Sequence, residues 1–110
     1  MQAIVEIKLN SNTQRIPITL IEGIDFFEGH YKKPNASNSF WVLKARINVS
    51  PDNILGISCM AIGRSLHKAD ATIKIKYRKN NKTVEKTENV EDDTFSKRRG
   101  IVLFKKEIKL

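Results

Sequence analysis

Residues 40–50 read Phe-Trp-Val-Leu-Lys-Ala-Arg-Ile-Asn-Val-Ser, and they carry the clearest structural pattern in the chain. From Trp41 to Val49 every second residue is apolar, and the residues between include Lys44, Arg46 and Asn48. Side chains of a β-strand point alternately to opposite faces, so a period of two indicates one buried and one solvated face. The segment therefore predicts a half-buried strand with its basic residues turned outward.

Three further segments repeat this period. Residues 3–9 place Ala3, Val5, Ile7 and Leu9 on one face. Residues 71–78 place Ile73, Ile75 and Tyr77 inward, against Lys74, Lys76 and Arg78 outward. Residues 101–110 place Val102, Phe104, Ile108 and Leu110 inward, but Lys106 interrupts that face, which predicts a bend or bulge.

Residues 54–62 are apolar on both faces, which is typical of a central strand covered on two sides. Gly56 inside this run indicates a bulge or a close backbone approach. The preceding Ser50-Pro51-Asp52-Asn53 is a turn signal, because Pro fixes φ and Asp and Asn bond to nearby backbone. We therefore predict a strand–turn–strand hairpin over 40–62.

Two other turns are indicated. Asn80-Asn81 separates two strand-like runs and tolerates positive φ, which predicts a two-residue hairpin with Tyr77 opposite Val84 and Lys76 opposite Glu85. Residues 16–28 alternate at first and then contain Gly23, which predicts a strand that bends there.

These segments predict one all-β, mainly antiparallel domain over residues 1–110, either a β-sandwich or a small β-barrel. At most one or two short helical turns are expected, within 90–100 and 64–69. The matching patterns at the two ends also predict that the first and last strands are neighbours.

Composition narrows the functional classes. The chain has 110 residues, a formal charge of +8 and 40% hydrophobic residues, which fits a packed domain rather than a disordered basic tail. No apolar run approaches the roughly 20 residues of a membrane-spanning helix. The single cysteine, Cys59, excludes an internal disulfide, and the isolated His30 and His67 do not form a metal-ligand spacing. No cofactor and no catalytic set are predicted.

The excess charge lies in the second half of the chain. Residues 1–55 hold 6 basic and 5 acidic residues, whereas residues 56–110 hold 14 and 7. If the basic strands share one sheet, their outward side chains form a surface for a polyanion. The predicted contact residues are Tyr31, Lys32, Lys33, Lys74, Lys76, Arg78, Lys97, Arg98, Arg99, Lys105 and Lys109.

The favoured function is thus a non-enzymatic module that binds nucleic acid, either DNA or RNA. An alternative is a structural or assembly subunit of a virus, phage or secretion machine, acting through copies of itself or another protein and not through a membrane. A small nuclease using His30 or His67 is a third hypothesis, for which no acid–base pair is evident. The lone cysteine indicates a reducing compartment, so we expect a cytoplasmic protein or one assembled later into a particle.

Overall fold

The period-two segments fold into ten strands in a computed structural model of the chain. The structure describes residues 1–11, 17–26, 31–32, 40–62, 69–91, 96–98 and 100–110, with backbone only for 31–32, 40 and 96–98. The strands are β1 (Gln2–Ser11), β2 (Ile18–Ile21), β3 (Ile24–Phe26), β4 (Tyr31–Lys32), β5 (Phe40–Asn48), β6 (Ile54–Ile62), β7 (Ala69–Lys79), β8 (Lys82–Val90), β9 (Ser96–Arg98) and β10 (Ile101–Lys109). The described residues contain no helix.

The strands form two antiparallel sheets of five that pack face to face. Sheet A has the order β4-β5-β1-β7-β8, and sheet B has the order β3-β2-β6-β10-β9. Each sheet turns its apolar positions toward the other, and these residues form one core cluster. The protein is therefore an all-β sandwich, which confirms the predicted class and selects the sandwich over the barrel.

The core follows from the alternation seen in the sequence. In β1, Val5, Ile7 and Leu9 are fully buried, and each lies between an apolar partner on β5 and one on β7. Burying one such aliphatic side chain contributes roughly 1.5–3 kcal/mol. The predicted inward faces of β5, β7 and β10 are confirmed, with Trp41, Tyr77 and Phe104 all buried.

The link between β5 and β6 is an arch between the sheets, so the predicted hairpin over 40–62 is wrong. The turn itself is present, since the Asn53 amide donates to the Ser50 carbonyl at 2.9 Å. The strands on either side of it belong to different sheets, β5 to sheet A and β6 to sheet B. A turn signal specifies a reversal of the chain, but not whether the two strands share a ladder.

Two other expectations about neighbours fail for the same reason. β1 and β10 were expected to be neighbours but lie in different sheets. An apolar face indicates which side of a strand is buried, but not to which sheet the strand belongs. Strand β6 is central in sheet B, yet only one of its faces is fully buried, and the outer positions from Ile54 to Ile62 are half-buried beneath neighbouring side chains.

Gly56 marks neither of the predicted alternatives, since no atom lies within 4 Å of a Cβ placed there and its ladder has no bulge. Of the bend or bulge predicted at Lys106, the bulge is absent, because β6 and β10 pair without interruption from Ile54–Lys109 to Ile62–Ile101. Lys106 keeps its inward position by extending its ammonium to the Glu88 carboxylate on sheet A, 3.6 Å away. A long aliphatic stem can lie along apolar surface while its charge reaches a polar partner.

The regions expected to be loops or turns also differ from the predictions. The predicted bend near Gly23 is a hairpin between β2 and β3, in which Glu22 and Gly23 have φ of 52° and 76°. Residues 96–98 form strand β9 where a helical turn was expected, whereas 92–95 and 99 lie outside the described residues. The turn expected over 64–69 also falls outside them, except for Ala69, which begins β7.

The Asn80-Asn81 hairpin confirms the predicted register, with Tyr77 opposite Val84 and Lys76 opposite Glu85. Both asparagines have positive φ, 53° and 61°, as a type I′ turn requires.

We expect Asn80→Val with Asn81→Val to lower the free energy of unfolding by about 2 kcal/mol or more, since β-branched residues are strained there. Urea unfolding measures this, and Asn81→Gly is the control that should keep or raise stability; equal stability of both variants would contradict it.

Glu22 joins the β2–β3 turn to the arch. Its carboxylate accepts hydrogen bonds from the Ser50 hydroxyl at 2.7 Å and from the Gly56 amide at 3.1 Å.

We expect Glu22→Ala to cost about 1–2 kcal/mol of stability, because both donors lose a charged acceptor. Glu107→Ala, an exposed acidic position opposite Gly56, is the matched control and should change stability by less than about 0.5 kcal/mol in the same urea titration. Comparable destabilisation of the two variants would contradict the role of Glu22.

Candidate functional site

The outer surface of sheet A carries a group of cations on two strands that flank β1. We call it the basic face and define it by Lys44 and Arg46 on β5 with Lys74, Lys76 and Arg78 on β7, all exposed. In register, Ile4 of β1 lies between Arg46 and Lys76, and Glu6 lies between Lys44 and Lys74. The two rows of cations are therefore two strand spacings apart, about 9.5 Å.

The acidic residues of this surface neutralise part of it. Glu85 lies 3.7 Å from Lys76, and Glu6 lies 3.9 Å from Lys8. The Arg78 guanidinium donates to the Asn81 carbonyl at 3.1 Å. In the part of the chain that the structure describes, no carboxylate forms an ion pair with Lys44, Arg46 or Lys74. Glu6 lies directly opposite Lys44 and Lys74 in the strand register, without an ion pair to either among the described residues.

The surface between the two rows is shallow. One open depression of about 290 Å³ lies over Ile4, with Arg46, Lys76 and Arg78 among its lining residues. A second of about 250 Å³ lies over Ile4 and Glu6, beside Lys44 and Lys74. The first depression has Ile4 at its floor and cations at its sides, whereas Glu6 and Glu85 also line the second. Both are open and can hold an extended chain, whereas small-molecule sites are usually deep and enclosed.

The structure divides the predicted contact residues between the two sheets. Lys74, Lys76 and Arg78 lie together on the basic face, as expected. Lys105 and Lys109 are exposed on the outer surface of sheet B, on the opposite side of the sandwich. The assumption that these strands share a sheet is therefore wrong.

The remaining predicted residues are described less fully. The backbone of Tyr31 and Lys32 forms β4 at one edge of sheet A, and that of Lys97 and Arg98 lies in β9 at one edge of sheet B. Lys33 and Arg99 lie outside the described residues. For Tyr31, Lys32, Lys97 and Arg98 the structure describes the backbone alone, so no side chain of these four is assigned to the basic face.

Sequence reasoning missed Lys44 and Arg46 as site residues. Their outward position was evident from the alternation in residues 40–50, but residues 1–55 together carry little net charge and their strand was not linked to β7. The missing information was the pairing of β1 with both strands, which brings Arg46 and Lys76 to either side of Ile4.

The outer surface of sheet B has a different character. Ile18, Met60 and Leu103 form one cross-strand row, and Ile62 pairs with Ile101 beside it. Leu20 is 41% exposed and Ile18 and Ile101 are each 38% exposed. We call these six residues, Ile18, Leu20, Met60, Ile62, Ile101 and Leu103, the apolar face.

Other chemistry is not evident in the residues that are described. Cys59 is a buried cysteine whose sulfur accepts a hydrogen bond from the Thr19 hydroxyl at 3.4 Å. No group of three or more His, Cys, Asp or Glu residues within the described ranges is placed to hold a metal ion. His30 and His67 lie outside those ranges. Over the same ranges there is no helix of the length and apolarity that a membrane span needs.

Comparison of the chain with protein-family models, with curated proteins and with solved structures finds no significant match. A function has to be inferred from the residues described above.

Proposed function

We propose that the chain is a non-enzymatic binding module whose basic face contacts nucleic acid. The observation that carries the proposal is the set of Lys44, Arg46 and Lys74, three exposed cations on one sheet surface without a described carboxylate partner. Cations within about 8–10 Å of one another reinforce their attraction for a polyanion at physiological salt. The flat geometry suits a phosphate backbone better than an isolated anion.

The mode of contact follows from where the aromatic rings lie. Phe26, Trp41, Tyr77 and Phe104 are buried in the core, so these rings offer no platform on which bases stack. The side chains that define the basic face are lysines and arginines, so the proposed contacts of this face go to phosphates, which gives binding that depends steeply on salt and little on sequence. We place this activity in the cytoplasm, because a chain with a single cysteine and no internal disulfide suits a reducing compartment.

Removing the three cations tests the proposal. We expect Lys44→Gln, Arg46→Gln and Lys74→Gln together to weaken binding to a labelled DNA duplex by about tenfold or more at about 50 mM KCl. The slope of log K against log salt should become shallower by up to about 2.7, or about 0.9 for each phosphate that is no longer neutralised. Fluorescence anisotropy between about 50 and 200 mM KCl measures both quantities.

The chain offers a control with the same change in charge. Lys82, Lys105 and Lys109 are exposed and lie off the basic face, so changing all three to Gln should alter affinity less than threefold, roughly the effect of a distant charge. Equal weakening in the two triple variants would show that net charge, and not the basic face, governs binding. A wild-type chain that does not bind the duplex at the lowest salt would overturn the proposal.

A second candidate function is assembly through protein contacts, and the apolar face favours it. Contiguous exposed apolar side chains on a soluble domain are typical of interaction surfaces. If copies associate through this face, Leu20→Gln with Ile101→Gln should remove species larger than two copies from light scattering of the concentrated protein. The basic-face triple variant is the control and should leave those species unchanged; a wild-type chain that never exceeds two copies would exclude this function.

A further inference from the structure

Strand β8 lies at one edge of sheet A, and no described strand covers its outer side, called the open side below. Among the described strands it pairs only with β7, over the whole length from Lys82 to Val90. The two-residue turn makes Lys79 and Lys82 a hydrogen-bonded pair, and hydrogen-bonded residues then alternate along the ladder. Thr83, Glu85, Thr87 and Asn89 therefore direct their backbone N–H and C=O groups toward the open side.

Charges that point inward from an edge strand normally prevent another strand from pairing with it. Of the three charges at inward positions of β8, Lys86 and Glu88 have partners within the chain, and Lys82 lies exposed beside the turn. The Lys86 ammonium donates to the Lys109 carbonyl of sheet B at 2.6 Å. Glu88 lies 3.6 Å from the Lys106 ammonium, also on sheet B. These contacts satisfy both charges on the inner side of the strand, so neither side chain blocks the backbone groups of the edge.

The sequence of β8 is complementary to itself in one antiparallel register. With the two-fold axis at Thr87, Lys86 of each copy lies opposite Glu88 of the other. Val84 likewise lies opposite Val90, so apolar and charged positions both match. Cross-strand pairs of this kind stabilise a sheet, whereas like charges directly opposite each other destabilise it.

Neighbouring registers lack this match. Placing the axis at Glu85, Lys86 or Glu88 sets that charged residue opposite its own copy. Registers that pair inward positions with outward ones are excluded by the pleat, because a slip of one residue exchanges the two faces. Among the axis positions from 85 to 88, Thr87 is thus the one that places no like charges opposite each other.

We infer that two copies of this chain pair antiparallel through β8 about a two-fold axis at Thr87. The two copies of sheet A then form one continuous sheet of ten strands, twice the five of each chain. An axis perpendicular to the sheet keeps both basic faces on the same side, where one polyanion can contact both. The pairing itself does not depend on the proposed nucleic-acid binding and is tested without nucleic acid.

The inward charges allow a decisive experiment. In Lys86→Glu, two pairs of glutamates face each other across the axis, and in Glu88→Lys two pairs of lysines do. We expect each single variant to raise the dimer dissociation constant about tenfold or more. An equimolar mixture of the two should form a heterodimer at close to the wild-type constant, because each glutamate then faces a lysine. Sedimentation equilibrium of the wild type, of each variant and of the mixture measures this over the micromolar range.

A proline variant checks the same edge by a different route. Thr87 directs its N–H away from β7, so Thr87→Pro removes a donor from the open edge and leaves the β7 ladder intact. We expect a folded monomer, with folding verified by circular dichroism. A monomeric wild type, a mixture no more dimeric than its components, or a folded Thr87→Pro variant that still dimerises would each overturn the inference.

Discussion

The burial of β1 between β5 and β7 is the constraint on which the rest of sheet A depends. Val5, Ile7 and Leu9 are fully buried, and each meets an apolar residue on both neighbouring strands. A shift of one residue in either ladder would turn these side chains to solvent, so the register is fixed. The same register fixes the outward positions and leaves cations on either side of Ile4 and Glu6. The basic face is thus a consequence of how the core is paired.

Strands and their buried faces were predictable from the sequence, but the sheets were not. Alternation alone assigned Trp41, Ile75 and Phe104 inward, and turn chemistry gave the hairpin at Asn80-Asn81 with its register. Nothing in the alternation distinguishes a hairpin from an arch, because both bring two apolar faces together. The candidate site was therefore predicted in part: its β7 residues were identified, its β5 residues were missed, and Lys105 and Lys109 were placed with the wrong sheet.

Polar contacts between the sheets account for the local patterns that sequence reasoning misread. Lys106 breaks the apolar stripe of β10, and the structure shows that it bridges to Glu88 and causes no bulge. Lys86 spans the same gap to the Lys109 carbonyl. Both contacts join the edge strand β8 to β10 of the opposite sheet. At such an edge the charged end of a lysine reaches water while its aliphatic stem packs against apolar side chains. In the sequence such a lysine only interrupts the apolar alternation, because the group that contacts it lies on a strand of the opposite sheet.

The two outer surfaces of the sandwich differ in a way that the total charge of +8 does not reveal. The outer surface of sheet A carries Lys44, Arg46 and Lys74, to which the described residues offer no ion-pair partner. That of sheet B carries a row of apolar side chains beside Lys105 and Lys109. The proposed polyanion and a proposed apolar partner would therefore meet opposite sides of the molecule and would not compete for the same residues. Pairing through the β8 edge would use neither surface, since the new contacts lie in the plane of sheet A. One small domain can in this way combine an electrostatic surface, an apolar surface and an edge, because strand alternation and sheet order separate them in space.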